Sequence, residues 1–323
     1  MKILKRLLLL TFTGIILGGV FLYHIYNQIN TPYPINSPKE ITISKGATLN
    51  QIAHTLKQNS LIKNTYLFII YARISKISSD LKAGEYLFDS PKSIPEIAYI
   101  LKEGKVIKRS ITIPEGKALV EILEIINKHP HLKGEITVSI KEGDILPETY
   151  VFASGTTRNE IIKQATLAME KTLNNAYKNL SSDSPIKTKQ ELLILASIIE
   201  KETGLKNERS LVASVFINRL KIGMRLQTDP TVIYAVTNGK MNLERALLKK
   251  DLTYDSPYNT YVYNGLPPTP ICSPGTDAIN AATNPSDTKY LYFVADGITG
   301  GHRFATNLQE HNKNVALYRK ARK

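Results

Sequence analysis

The chain has 323 residues, 42% of them apolar, enough for one large or two modest domains with real cores. A formal net charge of +14 favours acidic partners, meaning nucleic acid, anionic headgroups or an anionic polymer. The single cysteine, Cys272, excludes an intrachain disulfide and any CxxC-type zinc or redox site. Lys and Arg are spread along the chain rather than gathered into a patch with interleaved aromatics, which argues against nucleic acid.

In chain order, the first element is a membrane span. Residues 1–6 carry Lys2, Lys5 and Arg6, residues 7–26 are uncharged, and no Asp, Glu, Lys or Arg recurs until Lys39. About 20 apolar residues match the hydrocarbon thickness. Basic residues on the N-terminal side predict a cytoplasmic N-terminus and a body in the periplasm or outside the membrane. No alanine precedes Ala47, so an A-x-A cleavage site is missing, and no early cysteine offers a lipid anchor. A retained single-pass anchor in the cytoplasmic (inner) membrane is therefore expected. Residues 27–39, rich in Pro and Asn, read as a linker.

Residues 40–147 contain an internal repeat. "ITISKGATLNQIAHTLKQN" from Ile41 aligns with "ITIPEGKALVEILEIINKH" from Ile111, each an alternating strand, a glycine turn and an amphipathic helix. "AGEYLFDSPKSIPEIAYILKEGK" is a looser third copy. The first copy resembles a LysM module, which implies binding to N-acetylglucosamine-containing chains. A strand–turn–helix that merely packs well has the same pattern.

From Glu148 the chain turns helical. Periodicity predicts a helix over 160–180 and a second over 208–220 stopped near Gly223. Between them Thr188 and Glu191 form a capping-box pair that opens a helix apolar on every face, closed at Gly204. That helix ends on Glu200, Lys201 and Glu202. Glu200, stacked over the apolar turns, is the candidate general acid because desolvation raises a carboxyl pKa. Glu202, nearer the end, reads as the solvated one. Both are equally compatible with an ordinary polar last turn.

Downstream, Asp229 before Pro230 reads as a helix cap. The segment "DLTYDSPYNTYVYNGLPPTPICSPG" is long and aperiodic, as functional loops are, and its Tyr and Asn suit sugars. "KYLYFVADGITGGHRFAT" predicts a β-hairpin turning at Asp296-Gly297 and Gly300-Gly301. His302 and His311 lack metal-ligand spacing, and no phosphate or dinucleotide fingerprint occurs, so neither metal nor cofactor is expected.

Four segments carry a specific resemblance: "LASIIEKET", "VASVFINRLKIGMRLQTDPTVIYAV", "YDSPYNTYVYNGLPPTPICSPG" and "YLYFVADGITGGHRFATNLQEHNK". In this order they resemble the endolytic murein transglycosylase family, the YceG-like group, with the likeness densest over 192–313. The resemblance implies a lyase that cleaves the β-1,4 bond between N-acetylmuramic acid and N-acetylglucosamine inside nascent peptidoglycan strands. It would leave 1,6-anhydro ends and so terminate elongation. It assigns the catalytic role to Glu200, as acid and then base. Gln227, Asp229, Tyr254, Asn259, Thr260 and Tyr261 are the implied cleft residues, and penicillin-binding synthases and the cytoplasmic membrane the implied partners.

Two other functions fit the residues. A muramidase would use Asp229 or Asp255 to position water opposite Glu200. A non-catalytic scaffold would bind glycan through the repeats and recruit synthases. The expected fold is α+β, with LysM-like strand–helix repeats over 40–147 and a mostly helical catalytic domain with a hairpin over 148–323.

Overall fold

The computed structural model describes residues 2–240 and 242–321. Met1, Arg322 and Lys323, the outer ends of the expected tail and catalytic segment, lie outside the described residues, as does Met241. The chain divides into two compact units, 1–109 with 152–155, and 110–151 with 156–323.

The first unit opens with helix α1 (Lys2–Asn30), whose apolar stretch Leu8–Asn30 is long enough to cross a membrane and is not buried in the protein. Strand β1 (Lys39–Ile43), helices α2 (Leu49–Gln58) and α3 (Thr65–Ile74), strand β2 (Gly84–Phe88) and helix α4 (Ile94–Glu103) follow. β1 and β2 pair antiparallel, Ile41 opposite Tyr86, so alternate residues Ile41, Ile43, Tyr86 and Phe88 face one core. α2 and α4 close it with Ile52, Ala53 and Leu56, and with Ile97, Ala98 and Leu101. α2 starts on a Thr48–Gln51 capping box.

The second unit holds helix α5 (Leu119–Lys128) and, but for their end residues Arg109 and Phe152, the paired strands β3 (Arg109–Thr112) and β4 (Thr149–Phe152). The three strand–helix segments read from the sequence are therefore β1–α2, β2–α4 and β3–α5. The expected boundary near Glu148 differs from the observed division at Arg109/Ser110. The β3–β4 pairing is the reason, because Ile113 N–H donates to Glu148 O (3.0 Å) and ties 110–151 into one unit.

Helices α6 (Arg158–Lys178), α7 (Lys189–Glu202), α8 (Arg209–Lys221), α9 (Asp229–Thr237) and α10 (Thr276–Thr283) then form a helical core, followed by strands β5 (Tyr292–Ala295) and β6 (His302–Ala305) and helix α11 (Leu308–Ala321). α7 is its axis: Leu192 to Ile199 are all buried, packed on α6, α8, α9 and α10. The Thr188–Glu191 capping box opens α7. Its C-cap is Thr203 in an extended conformation, so the helix stops one residue before Gly204, without the left-handed glycine expected there. β5 and β6 form the predicted antiparallel hairpin, Tyr292 opposite Ala305.

Candidate functional site

Glu200 and Glu202 are two residues apart on α7, hence about 200° apart around the helix, and point to different surroundings. Glu200 enters an ion-pair cluster. Arg209 Nη2 donates to its Oε1 at 3.0 Å, and both side chains are about 5–6% exposed. Gly275 N–H donates to Oε2 at 3.0 Å. The same Arg209 nitrogen lies 3.3 Å from Glu115. Desolvation raises the Glu200 pKa, the Gly275 N–H and the Arg209 charge pull it back, and Glu115 pushes it up.

Chain segments far apart in sequence assemble this cluster. Ser197 Oγ accepts from Ile271 N–H (3.1 Å) and pins the loop before α10 onto α7. Gly116 N–H donates to Ser273 O and Ser273 N–H to Lys117 O, which locks the turn bearing Glu115 against that loop. Gly116 sits at φ +72°, and Lys201 Nζ donates to its carbonyl at 3.2 Å. A Cβ at Gly275 would lie 2.0 Å from the Glu115 carboxylate, so a larger residue there would displace that side chain. Glu115 and Arg209 were not among the sequence candidates. The repeat held one signal for Glu115: its turn position carries Lys45 in the first copy and an acid in the second.

Glu202 reverses the expectation of a solvated carboxylate. It is only partly exposed, Thr228 Oγ1 donates to it, and desolvation lifts its pKa to about 7, with the Asp229 charge adding to the rise. Thr228, not Asp229, is the N-cap of α9, and its hydroxyl is spent on Glu202 rather than on the cap. Asp229 is exposed at the first helical position and accepts from Tyr261 O–H at 2.6 Å. Of the implied cleft residues, Asp229 and Tyr261 thus lie near Glu202. Gln227 is exposed in the left-handed region at φ +49°, a conformation that non-glycine residues rarely hold without cause.

Two of these candidates are used up internally. Asn259 is fully buried; its Nδ2 donates to Leu252 O and Tyr254 O, and its Oδ1 accepts from Tyr261 N–H. Thr260 is buried, with Oγ1 accepting from Thr228 N–H (3.1 Å) and 2.9 Å from Thr231 Oγ1. Asn259 braces the long loop internally and Thr260 latches it to the start of α9, and burial keeps both side chains from solvent. Tyr254, by contrast, is 48% exposed. Asp255 is exposed and accepts from Tyr263 O–H.

Glu202 makes stability pH-dependent in a definite direction. Its folded pKa, about 7, lies above the ordinary 4.5, so its contribution is fully present below pH 4.5 and is lost as pH rises through 7. The loss is about 3 kcal/mol at most. Glu142, also raised to about 7 by burial, adds a second, separate decline. Thermal melts from pH 4.5 to 8 are expected to show a shallower fall in Glu202→Gln than in wild type. Identical slopes would mean that Glu202 is ionised at an ordinary pKa.

Against known families, the YceG-like family matches residues 41–317. The chain belongs to this family. An endolytic murein transglycosylase of Bacillus subtilis is 33% identical over 337 residues, covering 94% of this chain and 91% of the relative. One from Streptococcus pneumoniae strain D39 is 31% identical over 346 residues, covering 93% of this chain. The chain spans 62% of the length of the pneumococcal relative. A crystal structure of a YceG-like protein from Listeria monocytogenes matches with a TM-score of 0.53 at 32% identity, covering 85% of this chain and 98% of that one. The YceG-like match takes in both acids of α7, and so does not choose between them.

Proposed function

We propose that this YceG-like chain is an endolytic lytic transglycosylase of peptidoglycan, held at the cytoplasmic membrane by α1, with Glu202 as its single acid–base. The observation that carries the assignment is the place of the Glu202 carboxyl, which accepts from Thr228 Oγ1 and lies beside Asp229 and Tyr261, where burial lifts its pKa to about 7. A general acid works best with a pKa near the operating pH. Glu200 is the second reading, favoured by its own raised pKa, but Arg209 and Gly275 stabilise its ionised form.

Protonated Glu202 donates its proton to the glycosidic oxygen as the bond to C1 of the muramic acid breaks. The resulting carboxylate takes the proton of that sugar's 6-hydroxyl, whose oxygen bonds to C1 and closes the 1,6-anhydro ring. The proton returns to Glu202 and no water is consumed. The substrate's N-acetyl group stabilises the positive charge at C1, so no second carboxylate is needed. Gln227, Tyr254, Asp229 and Tyr261 are the residues we assign to the sugar. The turn joining β1 and α2, where Lys45, Gly46 and Gln51 line a hollow of about 270 Å³, is the corresponding LysM-like glycan subsite.

Lys2, Lys5 and Arg6, ahead of the apolar stretch of α1, support a cytoplasmic N-terminus. A short linker then restricts the enzyme to newly made glycan, where peptidoglycan synthases are its natural neighbours. The hydrolase reading rests on Asp229, an exposed carboxylate close enough to Glu202 to raise its pKa. Mass spectrometry of the products from nascent, uncrosslinked glycan tests the proposal. Anhydro-muramyl ends support it, and reducing ends reject it.

A further inference from the structure

Helix α3 has an exposed face that the proposed reaction does not use. Tyr66, Ile70 and Ile74 recur at four-residue spacing on one side of the helix and are 74%, 46% and 76% exposed, while the opposite side buries Phe68 and Ala72. An aromatic and two isoleucines aligned in solvent mark an interaction surface rather than scattered apolar residues. The charge around them is one-sided. Between Glu40 and Asp80 there is no acid, but Lys45, Lys57, Lys63, Arg73 and Lys76 are present. Arg73 lies on the exposed face itself.

The position of α3 identifies the occupant. Both α3 and α4 pack against α1, and Ile29, near the end of α1, packs on the same core as Phe68. Gln28 and Thr31 also share a cavity of about 270 Å³ with Leu67 of α3 and with Lys63. α3 is thus fixed to the end of α1 where the apolar stretch stops, the level at which headgroups meet acyl chains. A tyrosine, two isoleucines and flanking bases are the side chains of a helix lying in that interface.

We infer that α3 is a second membrane contact, its Tyr66–Ile70–Ile74 face embedded in the outer leaflet and its bases on anionic lipid headgroups. This rests on the reading of α1 as an anchor. The contact clamps the first unit onto the bilayer instead of leaving it on a flexible stalk, which would fix the height at which glycan is engaged.

The chain contains no tryptophan, so a single introduced one reports its own depth. Full-length Ile70→Trp, and separately Leu17→Trp in the apolar stretch of α1, are reconstituted in phosphatidylcholine–phosphatidylglycerol vesicles containing brominated lipids. The expected result at position 70 is blue-shifted emission, quenched more by bromine near the carbonyl end of the acyl chain than by bromine near its methyl end. Tyr66→Trp, on the same face, should repeat it even if Ile70→Trp folds poorly. Quenching at position 17 with water-like, unquenched emission at 66 and 70 overturns the inference and leaves the anchor standing. Blue-shifted emission at 66 and 70 that no bromolipid quenches overturns it too, because protein then covers the face. No quenching at position 17 removes the anchor, and the inference with it.

Discussion

Glu202→Gln is expected to abolish glycan cleavage, with a rate loss of about 10⁴, because one carboxyl serves as both acid and base. Glu200→Gln removes a charge partner instead of the proton carrier, and its expected loss is about tenfold or less. The geometry behind the contrast is specific. Glu200 is tied to Arg209 at 3.0 Å and to Gly275 N–H at 3.0 Å. Glu202 is raised to about 7 and sits beside Asp229, Thr228 and Tyr261. The acid must be protonated to start the reaction, so wild-type cleavage should decline as pH rises through 7. Turnover assays with both variants, with folding checked by circular dichroism, decide the assignment. Full loss in Glu200→Gln with activity kept in Glu202→Gln would move the acid–base role to Glu200.

The second large effect concerns Arg209. Its guanidinium is 5% exposed and meets Glu200 and Glu115, with Asp277 at 3.8 Å. Removing one partner of a buried ion pair leaves an uncompensated charge and costs about 3–5 kcal/mol. Arg209→Met should therefore be destabilised by that amount in urea titration at neutral pH. The deficit should shrink at low pH, because loss of the cation raises the Glu200 pKa further and protonation relieves the buried charge. Adding Glu200→Gln to Arg209→Met should recover part of the loss, giving a coupling energy of about 1–3 kcal/mol in a double-mutant cycle. An Arg209→Met variant within about 0.5 kcal/mol of wild type would mean that the cluster is solvated.

What could be read from the sequence was local. The Thr188–Glu191 box, the apolar run of α1, the three strand–helix segments and the β5–β6 turn each depend on residues a few positions apart. The division of the chain depended on β3 pairing with β4, and no periodicity states which strands pair. The roles of Glu200 and Glu202 were hidden for a related reason. A helix buried on every face has no amphipathic direction, so its pattern could not say which acid meets the ion pair and which the cleft residues. The partners that decide it, Glu115 from 85 positions earlier and Thr228 from 26 later, are supplied by the fold. Asn259 and Thr260 lie in family motifs yet are buried and paired by the chain itself, Asn259 within its own loop and Thr260 with Thr228 and Thr231.

The central claim is that bond cleavage consumes no water. Digesting nascent glycan with the full-length protein in heavy-oxygen water, with mass spectrometry of the new ends, tests it most directly. The account predicts anhydro-muramyl ends of unlabelled mass. Heavy oxygen at C1 of a reducing end would contradict it and point to a hydrolase, with Asp229 as the carboxylate that positions the water.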